Sequence, residues 1–121
     1  MAVIAPVISL LSGDQSCVTA TWTFNPTTDT CAPIEWYEYQ DRSVQLVGTF
    51  IGNTITIEGT NDGTNFVALN NTLGAAATFT TNKLSQIVEA SRLMRPNPTV
   101  AGTSTTLTAV AFLRRANPLR T

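Results

Sequence analysis

With 121 residues, the chain has room for one domain whose core needs neither metal nor disulfide. Only 12% of it is charged, about half the usual share, while 43% is hydrophobic, and threonine, asparagine and serine supply much of the polar character. A net charge of −1 from few, dispersed bases argues against nucleic acid, and the absence of histidine excludes a Cys–His catalytic pair.

The charge is unevenly placed. Residues 1–62 hold Asp14, Asp29, Glu35, Glu38, Asp41, Glu58 and Asp62 against Arg42 alone. Residues 63–121 hold Lys83, Arg92, Arg95, Arg114, Arg115 and Arg120 against Glu89 alone. Either paired strands from the two halves bring these charges together within one fold, or an acidic and a basic face meet across subunits.

The N-terminal segment Ala2–Leu11 is apolar, but it lacks a basic flank and contains Pro6. It is expected to be neither a signal peptide nor a membrane span, and reads as an edge strand or an arm laid on a neighbour. From Ser16 to Phe24, Val18, Ala20, Trp22 and Phe24 alternate with threonines, the period-2 pattern of a strand with one dry face. Residues 25–30 form a loop by composition. Strands are expected over Pro33–Tyr39, Ser43–Phe50 and Thr54–Glu58, the last breaking at Gly59-Thr-Asn-Asp-Gly63. Asp-Gly supplies the positive φ of a hairpin turn, and Phe66, Val67 and Leu69 begin the return strand.

Gly74–Phe79 reads as a turn entering a strand. Between Lys83 and Arg95, Leu84, Ile87, Val88 and Ser91 share one helical face, so a single turn of helix is expected before an extended Leu93–Pro96. A long strand closes the pattern over Thr105–Leu113, where Leu107, Ala109, Ala111 and Leu113 alternate with Thr106, Thr108, Val110 and Phe112. Apolar groups on both of its faces predict a strand that is central or covered by a partner. About eight strands in one domain over residues 1–121 predict an all-β, antiparallel sandwich or jelly roll. Residues 1–13 are its arm or first strand, and residues 114–121 a basic tail.

Catalytic groups are sparse. Glu35 and Glu38 would point to opposite faces of a strand and make no acid–base pair. Cys17 and Cys31 are too few for structural zinc and are expected as buried free thiols, with one disulfide as the alternative. The turn around Asp62 offers calcium a single carboxylate, so a structural turn is expected. Trp36, Tyr37 and Tyr39 alternate in a way that suits core and interface packing better than sugar stacking. The reading is therefore of a chain that is not an enzyme and binds no cofactor or metal.

Four segments carry a resemblance. Ser43–Phe50, the Ile55–Phe66 stretch around Gly-Thr-Asn-Asp-Gly-Thr, Ala90-Ser-Arg-Leu-Met-Arg-Pro96, and Thr105–Arg115 ending in Arg-Arg resemble a group of small tailed-phage virion proteins. The turn also resembles part of the galactose-binding-like sandwich modules. The phage group includes jelly-roll capsid decoration (cement) proteins, often trimeric, and head or tail accessory proteins. The resemblance implies a structural protein on the virion capsid surface, made in the host bacterial cytoplasm. Its implied partners are the major capsid protein and further copies of itself, a homotrimer, with no nucleic acid and no membrane. The alternative is a carbohydrate- or host-surface-binding module, or a head or tail accessory protein. Chain ends suit contacts made on assembly, which singles out Val3, Ile4, Val7 and Ile8 as apolar anchors and Arg114, Arg115 and Arg120 as charge partners.

Overall fold

The structure, a computed structural model, describes residues 2–10, 16–35 and 39–115. Its strands are β1 (Val3–Ile4), β2 (Val7–Leu10), β3 (Cys17–Phe24), β4 (Thr30–Cys31), β5 (Asp41–Gly48), β6 (Thr54–Thr60), β7 (Val67–Ala68), β8 (Thr78–Phe79), β9 (Lys83–Ile87), β10 (Leu93–Val100) and β11 (Leu107–Arg114). Of the eleven, β1, β4, β7 and β8 are two-residue pieces, which leaves seven longer strands.

Alternation in the long strands decides which side of each sheet is dry. One sheet runs in the order β2-β3-β11-β5-β9 and is antiparallel throughout. On its inner face lie Val18, Ala20, Trp22 and Phe24 of β3 and Leu107, Ala109, Ala111 and Leu113 of β11, with Val44 and Leu46 of β5 beside them. The second sheet has β6 between β10 on one side and β7 and β8 on the other. It supplies Ile55, Ile57, Phe79 and Met94 to the same core. The result is an all-β sandwich without a closed barrel. One departure from antiparallel pairing is β1, which runs parallel to β4.

Two expectations need correction. Residues 83–87 form a strand rather than a helical turn, because their alternation serves the open edge of β5. Ser85 and Ile87 pair with the inward-facing Val44 and Arg42, and Ile87 is 1% exposed. The backbone groups of residues 83–87 are satisfied by β5 and Ile87 reaches the core, so tertiary pairing overrides the local helical period. The strand expected over 33–39 reduces, in its described part, to a bridge in which Ile34 and Met94 exchange backbone hydrogen bonds. Residues 36–38 lie outside the described residues.

β11 sits at the centre of its sheet, as its two-sided apolar pattern implies, with β3 and β5 paired along its whole length. The charge asymmetry resolves within the fold. Arg92 pairs with Glu35 at 3.5 Å, Arg95 with Glu58 at 3.1 Å and Arg114 with Asp41 at 2.9 Å, in each case a base from the second half with an acid from the first.

Candidate functional site

The turn after β6 is built by one carboxylate. Gly63 takes φ 84°, and Asp62 gathers the loop around itself. Asp62 Oδ1 accepts the backbone N–H groups of Thr64 and Asn65, both at 2.8 Å, and the Thr60 hydroxyl at 2.7 Å. Its Oδ2 accepts Asn65 Nδ2 at 2.7 Å. The Asn65 backbone bond, with the other donors behind it, holds the Asp62 carboxyl well below the usual carboxylate range.

Beside this turn lies a cavity of about 340 Å³ between the hairpin and residues 89–91. Gly59 forms part of its wall. A Cβ there would meet the Ser91 hydroxyl, and would stand 2.8 Å from Ser91 Cβ and 2.9 Å from Leu69 Cδ2. Glu89 accepts both the backbone N–H of Asn70, at 2.7 Å, and its Nδ2, at 2.8 Å, and the backbone bond foremost lowers its pKa. Asn61 Oδ1 accepts the Arg92 N–H at 2.9 Å, and Ser91 Oγ donates to the Leu93 carbonyl at 2.7 Å. The carboxylates and the Ser91 hydroxyl lining the cavity are thus engaged in holding loops together. Among the described residues there is no group of three Cys, Asp or Glu that could hold a metal.

The singled-out N-terminal residues divide between two places. Val3 and Ile4 run beside β4, where Thr30 N–H donates to Ala2 O at 2.9 Å and Ala32 N–H to Ile4 O at 2.8 Å. Ile4 packs on the core, whereas Val3 is 70% exposed. Val7 and Ile8 belong to β2, the outer strand of the five-stranded sheet, and both are exposed. The segment is therefore an ordered edge strand, with its apolar side chains left largely in solvent.

The basic residues fare differently. Arg114 is held by Asp41 on the neighbouring strand, through Nε at 3.2 Å and Nη2 at 2.9 Å. Arg115 lies over the Tyr39 ring at 5.2 Å from its centroid and donates to Tyr39 Oη at 3.2 Å. Arg120 lies outside the described residues. Arg42, also in this region, is 3% exposed and donates Nε–H to the Tyr39 carbonyl at 2.8 Å, and burial lowers its pKa. Among the described candidates, Val3 and Ile4 lie on β1, Val7 and Ile8 on β2, and Arg114 and Arg115 at the end of β11 beside Asp41 and Tyr39.

Sequence reasoning by residue missed the outer face of the five-stranded sheet. Register places Val7, Thr21, Val110, Gln45 and Leu84 in one cross-strand row, and Ser9, Thr19, Phe112, Ser43 and Gln86 in the next. Neither row carries a charge. The signal was present in the two-sided apolar pattern of residues 107–113, but only the pairing shows which neighbours share that face. The cysteines are free, with Cys31 buried and Cys17 half-buried, and burial foremost pushes the Cys31 thiol up to about 12.

Sandwich topology, with the Asp62 and Glu89 carboxylates bonded into their own loops, defines the class as an all-β domain. No protein-family model and no curated protein sequence matches the chain. Among solved structures, the fold is similar to that of the SPBc2 prophage-derived protein YomS, with a TM-score of 0.54 and 13% identity. The match covers 80% of this chain and 93% of that one.

Proposed function

We propose that the chain is a non-enzymatic structural protein of a phage virion, a capsid decoration or cement protein that binds across major capsid protein subunits and stabilises the head. The fold shared with a prophage-derived protein supports the phage setting. The observation that carries the reading is the N-terminal segment, where Val3, Val7, Ile8 and Leu10 are ordered in strands yet remain exposed. Apolar side chains fixed in place before binding lose little further entropy when a partner covers them. A cement protein that touches several subunits at once dissociates only when all contacts break together, so modest patches suffice. Self-association, a trimer in the resembling group, multiplies those contacts.

Adding the purified protein back to capsids that lack it tests the reading. Binding and a raised capsid melting temperature are expected, with binding weakened by Val3→Asp and Val7→Asp together. Capsids that bind none of it would remove the cement role. A carbohydrate- or host-surface-binding module is the second reading, and the cavity beside Asp62 is its site. Its carboxylates are already bonded internally, which leaves few groups to orient a sugar. Binding on a glycan array that is lost in Asn65→Ala would favour it.

A further inference from the structure

The edges of the two sheets are not equally protected. Natural sheets guard an edge with charge, proline, short strands or a covering segment. β9 opens with Lys83, the flank of β10 is bridged by Ile34, and β7 and β8 have two residues each. β2 is short and follows Pro6, but Val7-Ile-Ser-Leu10 itself carries no charge or proline, and no described segment pairs with its outer side. Its side chains are also uncovered on the inner face. Ile8 pairs with Ala20 and Leu10 with Val18, both fully buried, yet Ile8 is 36% and Leu10 49% exposed. The dry side of the sheet therefore runs one strand beyond the core that covers it.

We propose that β2 pairs antiparallel with β2 of a second copy, about a two-fold axis at Ser9. In that register Ile8 lies opposite Leu10 of the other copy, twice over, and both pairs fall on the inner face where the overhang needs cover. A shift by one residue sets the inner face of one copy against the outer face of the other and loses these pairs. The segment 7–10 has no charge, so like meets like without repulsion. Four residues span only about 14 Å, too short an edge to bury the roughly 800 Å² per partner of a standard interface. The pair is thus a weak dimer, populated at high local concentration, and it joins neighbouring trimers as readily as single copies. It takes Ile8 and Leu10 from the surface offered to the capsid and leaves it Val3 and Val7, both 70% exposed, and its test needs no capsid.

Disulfide trapping tests it. Opposed residues of an antiparallel pair have Cα atoms about 4.5–5.5 Å apart, inside the roughly 4.4–6.8 Å range of disulfides. Ser9→Cys is made in a Cys17→Ser background, since Cys31 is buried, with Thr23→Cys as the control exposed on the adjacent strand. At high protein concentration Ser9→Cys is expected to form covalent dimers at least about tenfold faster than the control, through the raised effective concentration of paired thiols. Leu10→Lys or Ile8→Lys removes that advantage. Trapping no faster than the control, or unaffected by both lysine variants, overturns the pairing. Should Ser9→Cys fail to fold, sedimentation of the native chain decides. A concentration-dependent doubling of the sedimenting species that is lost in Leu10→Lys supports the proposal, and no doubling, or doubling kept in Leu10→Lys, refutes it.

Discussion

Trp22 ties the core to the segment that carries the N-terminal strand, so its replacement should damage both. It is fully buried in β3 and donates Nε1–H to the Ala32 carbonyl at 2.8 Å. Ala32 in turn holds Ile4, and Thr30 holds Ala2, through their own N–H groups. Trp22→Phe keeps most of the apolar volume but orphans the Ala32 carbonyl. Ala32 is only half-buried, so this loss belongs near the low end of the usual ~1–3 kcal/mol. The space left by the indole adds about 1 kcal/mol, for a total near 2 kcal/mol. Trp22→Ala empties the site and should cost about 3–5 kcal/mol. Urea unfolding followed by circular dichroism measures both, and a lower midpoint with an unchanged slope is expected. Amide exchange at Thr30 and Ala32 should also accelerate beyond the global loss, because their platform has been released. A Trp22→Phe cost under about 0.5 kcal/mol, well below the orphaned-acceptor range, or exchange that rises uniformly along the chain, would refute the link between core and N-terminal strand.

Two further outcomes concern titrating groups. With its pKa raised to about 12, Cys31 should resist alkylation at mildly alkaline pH until urea unfolds the chain, while Cys17 reacts in the folded state. Mass spectrometry of iodoacetamide-treated protein checks this, and folded-state label on Cys31 counts against its burial. Asp62 and Glu89 both have folded pKa values lowered by hydrogen bonds. Their contribution to stability is full above the unfolded values of about 3.9 and 4.3, and drains away as pH falls below them. The melting temperature should therefore drop on the acid side of about pH 4, more shallowly in Asp62→Ala, which starts lower and has less to lose. Parallel curves for the native chain and the variant would show that the Asp62 network is not responsible.

The long strands were legible because each carries its own alternation. Val18–Phe24 and Leu107–Leu113 announce a dry face without help from the rest of the chain, and the Asp62-Gly63 turn announces a reversal. What escaped depends on neighbours. Leu84, Ile87, Val88 and Ser91 satisfy a helical period as a string of letters, and only the vacant side of β5 makes Lys83–Ile87 a strand. The two-residue strands are too short to hold a period. Buried Arg42 was unreadable for the same reason, since its inward direction follows from pairing with Leu113 and Ile87. At the candidate site, the exposure of Val7 and Ile8 agrees with an apolar edge segment, while Ile4 belongs to the core through a parallel pairing with β4 that no local pattern signals.

The location of the charges explains why the edge, rather than a charged face, is where a partner should settle. In a chain with so few charges, three of the bases are spent on acids of the other half, and Arg115 on the face of Tyr39. Exposed pairs such as Arg114–Asp41 add at most about 1 kcal/mol to stability, but each leaves less unpaired charge to repel or steer a neighbour. The two uncharged outer rows of the five-stranded sheet and the β2 edge are then surfaces on which backbone pairing and apolar contact decide. An added lysine in β2 is therefore expected to do what the native charges do not, blocking association while leaving the fold intact.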